Sequence, residues 1–224
     1  GIGKALSERY VRLGANVVMA ARNIDALQTL QGQMQATGNQ CLAVQADVSR
    51  EEDCARLIRR TVEEFGRIDV LINNAGISMR AIFQGIDLEV LHRLMDVNFW
   101  GTVYCTYHAL PHLLTTRGSL VGVSSIAGYK GLPGRSGYSA SKFAMHGFLE
   151  VVRMENMKQG LHVLLACPGF TASNIRNTAL GADGSVQGES PRDEARMMTA
   201  GEVALRIERA VRLRKRTLTM TTNG

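Results

Sequence analysis

Six short apolar runs recur along the chain, and segments with helical spacing separate them; this alternation restricts the fold more than any other feature. The runs are Asn16 to Ala21, then "CLAVQA", "IDVLIN", "GSLVGVSS", "HVLLAC" and "TLTMTT". Their continuous apolar character fits strands buried on both faces of a parallel sheet. Between the first two, Ile24, Leu27, Leu30 and Met34 fall at helical spacing. A second helix is expected to open on a Ser49/Glu52 capping box and close on Gly66. A third is expected from Asp87 to about Leu114, with Pro111 kinking or ending it early. Strand–helix alternation predicts a doubly wound α/β domain with right-handed crossovers. With 224 residues and no internal repeat, the reading is one domain over residues 1–224. The polar stretch 169–200 exceeds what a connection needs and is expected to form a lid.

Charge and cysteine content narrow the function classes. The net charge of +6 gathers in "RIERAVRLRKR", Arg206 to Arg216. Ala204, Ile207, Val211 and Leu213 recur there, so the segment reads as an amphipathic helix with a solvated basic face and not as a nucleic-acid surface. Cys41, Cys54, Cys105 and Cys167 form no CxxC pair and read as reduced core residues of a cytoplasmic protein. No apolar run reaches membrane-spanning length. The chain begins "GIGK" without an initiator methionine, which leaves upstream targeting or anchoring open.

In an open parallel sheet, ligands bind at the carboxyl ends of the strands. Several motifs fall there. "GIG", Gly1, Ile2 and Gly3, precedes a helical run, where glycines let the backbone approach a pyrophosphate. "AARN" puts Ala21 where an NAD-binding fold places an acid, with Arg22 beside it to pair with a 2′-phosphate. Asp47 in "ADV" is either a turn residue or an acceptor for an adenine amino group. "NNAG", ending in Asn74, Ala75 and Gly76, gives a tight backbone beside a flat ligand. "VSS" brings Ser125 to the same edge, and "YSASK" places Tyr138 and Lys142 one helical turn apart on one face.

Taken in order, "GIG", "ADV", "NNAG", Val97–Asn98, "VSS", "YSASK" and Pro168–Gly169 resemble the short-chain dehydrogenase/reductase family in its single-domain form. The resemblance implies a Rossmann-type sheet and a catalytic tetrad of Asn98, Ser125, Tyr138 and Lys142. It implies NADP(H) in preference to NAD(H), held by Gly1, Ile2, Gly3, Arg22, Asp47, Val48, Asn74, Ala75, Gly76, Tyr138, Lys142, Pro168, Gly169 and Thr171. It also implies a carbonyl or secondary-alcohol substrate and a homodimer or homotetramer paired through Asp87–Leu114 and Tyr138–Met157. In the family the asparagine anchors a water that relays protons to the lysine. The strand and first glycine that should precede "GIG" are missing and the chain stops at "TTNG", so it reads as a fragment.

The chemistry has its own logic. Hydride addition to a ketone leaves an alkoxide that needs a proton within hydrogen-bond reach. A tyrosine of pKa about 10 is a sluggish donor near neutrality. An ammonium about 4 Å away, at an effective dielectric near 20, favours phenolate by about 4 kcal/mol, and Lys142 is expected to do that. Ser125 is expected to hold the substrate oxygen against Tyr138. The alternatives are an epimerase or dehydratase sharing YxxxK, which usually carries a larger substrate domain, and a non-catalytic dinucleotide sensor, which predicts a degraded tetrad. His108 and His112 share a helix face but lack a third ligand, so no metal is expected. Phe99 and Trp100 are expected in the core.

Overall fold

The computed structural model describes residues 1–36, 38, 40–188 and 197–221. Helix α1 (Ile2–Arg12) leads to β1 (Val17–Ala21), α2 (Ile24–Gln35) and β2 (Cys41–Gln45). Then come α3 (Glu51–Phe65), β3 (Val70–Asn73), α4 (Leu88–Met95) and α5 (Gly101–Thr116). The order closes with β4 (Ser119–Val123), α6 (Ser136–Asn156), β5 (His162–Pro168), α7 (Ala200–Arg212) and β6 (Thr217–Met220). Every ladder is parallel. Among the described residues the strands form two groups, β1-β2 and β3-β4-β5-β6, with no ladder joining β1 to β3.

The continuous apolar runs are buried on both faces, as their composition demands. Along β5, Val163, Leu165 and Cys167 point into one cluster with Leu113, Met145 and Leu149 of α5 and α6. Leu164 and Ala166 point the other way, against Leu6 of α1 and Val203 and Ile207 of α7. The period of two in the strand divides its residues between two helical layers, which is the physical content of a doubly wound sheet. Contact is closest at Gly122 of β4, where an added methyl would overlap Leu149. The β1-β2 pair has its own smaller cluster of Val11, Met19, Leu27, Met34 and Cys41.

Several local expectations change. Helix α3 is capped from Arg50 without a side-chain bond. Ser49 instead donates to Asp47 Oδ1 (2.7 Å), because an aspartate two residues earlier competes for the hydroxyl. Gly66 does end α3, at φ 72°. The capping box that exists joins Thr199 and Glu202 at the start of α7. Pro111 neither ends nor interrupts α5, which continues to Thr116. The break in the long helix falls earlier, at a π turn over Asp96–Trp100 in which the Gly101 N–H donates to the Asp96 carbonyl. Trp100 is not core: it is 43% exposed and stacks on Tyr104 at 5.6 Å. Ala204 and Ile207 are buried as the amphipathic reading of α7 requires, whereas Leu213 lies outside the helix and is exposed.

All four cysteines are free and buried. Among the described residues no helix is long and apolar enough to cross a membrane, and no three His, Cys, Asp or Glu gather for a metal.

Candidate active site

A cavity of about 960 Å3 runs along the carboxyl ends of the strands and between β1 and β3. Gly1, Ile2, Gly3, Arg22, Asp47, Val48, Asn74, Ala75 and Gly76 line it, together with Ser125, Tyr138, Lys142, Pro168, Gly169 and Thr171. The two sets meet at Gly76, where an added Cβ would come 3.5 Å from Lys142 Nζ. Of the residues singled out in the sequence, Asn98 alone lies off the wall, fully buried beneath it.

The wall at Gly1 to Gly3 is built on α1. No side chain caps Gly1, so the first N–H groups of the helix are available to an anion. A Cβ on Gly3 would come 2.7 Å from Asn74 Nδ2, so the Asn74 side chain lies directly against the first turn of α1. Arg22 is exposed just past β1, within the Asn23-capped turn into α2. Asp47 accepts from the backbone N–H (3.0 Å) and hydroxyl of Ser49, and its own N–H donates to Asp53 (2.8 Å). Its Oδ1 thus forms the turn, and the residue also lines the cavity.

On the same cavity wall α6 presents Tyr138, half-buried, and Lys142, 3% exposed, one turn apart. Lys142 Nζ donates to the Val123 carbonyl (3.1 Å) and lies 5.8 Å from the centre of the Tyr138 ring. Ser125 follows β4, accepts from the Ala127 N–H (3.2 Å) and lines the same cavity as the Tyr138 phenol, whose ionised form it favours. Asn98, on the π turn, is clamped. Its Nδ2 donates to the Ile77 carbonyl (3.0 Å) and Ser141 Oγ (2.9 Å), and its Oδ1 accepts from the Ile77 N–H (2.8 Å). Both donors of that amide are therefore spent on protein groups, holding the "NNAG" loop against α6.

The electrostatics differ from the simple ammonium–phenol argument. Burial pushes the Tyr138 phenol above its ordinary value, and Ser125, Arg135 and Arg176 pull against that rise. Burial brings Lys142 down to about 8, so in the unliganded protein its charge is itself costly to hold. The expected acidification of Tyr138 by Lys142 is thus absent here, because desolvation dominates both groups. Behind Lys142, His146 Nε2 pairs with Ser124 Oγ at 2.6 Å and lies 3.6 Å from Cys167 Sγ. Burial first, and Lys142 second, keep this imidazole below its usual pKa.

Sequence reasoning missed Ser141, Arg135 and Arg176. Ser141 stands inside "YSASK" on the inward face one residue before the lysine, a signal that was readable. The arginines belong to irregular segments that carry no periodicity.

The sequence profile of the family described as short chain dehydrogenase matches residues 1–182. The chain belongs to that family. Within it, the chain is 38% identical over 185 residues to 11-beta-hydroxysteroid dehydrogenase-like 4A of Arabidopsis thaliana, covering 82% of this chain and 62% of that protein. It is 39% identical over 189 residues to 11-beta-hydroxysteroid dehydrogenase A of Arachis hypogaea, covering 83% and 54%. It therefore spans roughly half to three-fifths of the length of these short-chain dehydrogenase relatives. The fold is shared with an alcohol dehydrogenase of Thermococcus sibiricus complexed with 5-hydroxy-NADP, at TM-score 0.86, 22% identity and coverage of 98% and 91%. A short-chain dehydrogenase of Sphingobium yanoikuyae in complex with NADPH gives TM-score 0.84, 24% identity and coverage of 98% and 83%.

Proposed function

We propose that this member of the family is an NADP(H)-dependent oxidoreductase that interconverts a carbonyl and a secondary alcohol. The observation that carries the reading is the meeting of Ser125, Tyr138 and Lys142 on the wall of one cavity that the uncapped N-terminus of α1 also lines. That helix N-terminus and the cation at Arg22 suit a dinucleotide with a 2′-phosphate. Bound there, the cofactor would supply or accept the hydride. Solved relatives in complex with NADPH or an NADP derivative support the same choice.

The chain's own residues handle the oxygen and its proton. Ser125 donates to the carbonyl oxygen and fixes it beside the phenol. Tyr138 gives its proton to the oxygen as negative charge develops there. Lys142, at about 8 and 5.8 Å from the centre of that ring, changes protonation near the operating range beside the phenol. Asn98 fixes the loop after β3 and, through Ser141, the first turns of α6. Residues 169–188 and 197–200 form a lid on this reading: the Leu180 N–H donates to the Ser78 carbonyl (2.8 Å) and the Arg80 N–H to the Leu180 carbonyl (2.9 Å). Residues 189–196 of the predicted lid lie outside the described residues.

Trp100, Tyr107, Phe143 and Met154 leave an exposed apolar band on α5, its entry turn and α6, which supports pairing with a second copy. Sedimentation of the full-length protein as a monomer would remove that part of the reading.

The enzymatic reading is tested with Tyr138→Phe, following NADPH oxidation on a panel of aldehydes and ketones. Turnover should drop about 1,000-fold or more while NADPH affinity, read by its fluorescence, stays within about twofold. Substantial residual turnover would defeat the proton-donor role.

A further inference from the structure

Helix α6 carries a histidine that the steps proposed above do not use. His146 stands one turn after Lys142, half-buried and off the cavity wall, and its Nε2 pairs with Ser124 Oγ at 2.6 Å. Ser124 is 4% exposed, and its N–H donates to the Ala166 carbonyl of β5 at 2.7 Å. The next residue is Ser125, whose hydroxyl is proposed to hold the substrate oxygen.

Three further groups close on the same imidazole. Cys167 Sγ lies 3.6 Å from Nε2, and the Tyr129 ring meets the imidazole edge to face with centres 4.7 Å apart. At Gly128 an added Cβ would come 2.5 Å from His146 Nε2 and 2.9 Å from Ser124 Oγ, so the backbone there runs against the ring. Burial, and then the Lys142 charge, hold the ring below its ordinary pKa of 6.5. It is therefore neutral near pH 7 and serves as a hydrogen-bonding prop.

These contacts bear on Ser125 because Ser125 opens the turn they grip. It caps the short 3-10 turn Ile126–Gly128, its Oγ accepting from the Ala127 N–H (3.2 Å) and its carbonyl from the Gly128 N–H (3.0 Å). With one lone pair engaged by Ala127, the hydroxyl keeps its O–H for a ligand. A single 3-10 turn is a weak element by itself, so the place of that oxygen depends on outside support. His146 supplies it on both sides of Ser125, at Ser124 before it and at Gly128 and Tyr129 after it. A misplacement of about 1 Å in such a group can lower a rate about 100-fold.

We propose that His146 is a positioning residue for the reaction: through Ser124 and the turn Ile126–Gly128 it fixes the Ser125 hydroxyl where the substrate oxygen is held. This rests on the oxidoreductase reading above and adds to it a residue that touches neither substrate nor cofactor.

The test uses the full-length protein with NADPH and a ketone that it reduces. His146→Leu is expected to lower kcat about 10- to 100-fold, with KM within about threefold and NADPH affinity, read by fluorescence, within about twofold. His146→Gln, whose amide can reach the place of Nε2, should recover most of that loss. In a Ser125→Ala background, His146→Leu should change kcat by less than about twofold, because its effect passes through the missing hydroxyl. Should His146→Leu fail to fold, Ser124→Ala removes the other partner of the 2.6 Å contact and should give the same pattern. Should Ser125→Ala be too slow to follow, recovery by glutamine decides alone. Unchanged kcat, no recovery by glutamine, or the same fold-loss with and without the Ser125 hydroxyl would overturn the assignment while leaving the oxidoreductase reading in place. Failure of the unaltered protein to oxidise NADPH with any carbonyl compound would overturn both.

Discussion

The two groups of strands are built to different standards. In the four-stranded group every residue of β4 and β5 is buried, and helices cover both faces. In the pair β1-β2 most positions are half-buried or exposed, and one small cluster holds the strands to α1 and α2. Ser125 stands directly after β4, and Tyr138 and Lys142 stand on the helix packed against β4 and β5. The residues proposed to act on the substrate thus rest on the densest part of the molecule. Arg22 follows the looser pair. Proton transfer needs sub-ångström placement, whereas charge pairing at a flexible cation does not, and the distribution of packing follows that difference.

The sharpest way to break this comparison is by cavity formation. Leu149→Ala, in the fully buried face of α6, should cost about 3–5 kcal/mol, and Leu27→Ala in the small cluster nearer 2 kcal/mol. Urea unfolding of both variants checks this, and equal losses would erase the distinction.

A slightly smaller effect of opposite sign is expected at Lys142. Its folded pKa of about 8 lies below the ordinary 10.5, so the folded state binds fewer protons than the unfolded state between those values. Stability of the cofactor-free protein should therefore rise with pH from about 8 to 10.5, and the penalty should be fully present below 8. Lys142→Met should remove that slope and raise stability near neutrality by about 3 kcal/mol, while abolishing turnover. Thermal melts across that pH range decide it; a flat profile in the unaltered protein would mean the ammonium is not held at a cost.

The smallest effect belongs to the looser pair. Arg22→Ser should weaken NADPH binding about tenfold, leave NADH binding unchanged and alter stability by less than about 0.5 kcal/mol. Undiminished NADPH affinity would detach this arginine from the proposed 2′-phosphate contact.

Much of this was legible in the sequence because its signals are local. Apolar runs gave the strands, and their order along the chain fixed which motifs end at the carboxyl edge. Asn98, Ser125, Tyr138 and Lys142 fall together because each sits on a regular element or directly at its end. The π turn at Asp96–Trp100 was not legible, since an apolar stripe drifting by one residue looks the same in either helix type. Pro111 misled because a helix held by packing on both sides tolerates the lost hydrogen bond. The acidity of Tyr138 was misjudged because charge can be counted in a sequence, but desolvation depends on a cavity that only the fold creates. Arg135 and Arg176, 41 residues apart in the sequence, come to line one cavity through the fold and not through any local pattern.

The single widened turn before α5 makes chain length at this place a structural quantity in its own right. Removing one of its five residues would close the widened turn to the regular repeat and leave the helix beyond it in phase. Asn98, which the turn carries against the Ile77 backbone and Ser141, would then lose its reach to both. A one-residue deletion here would therefore act on the site as a change of gearing while sparing the rest of the helix.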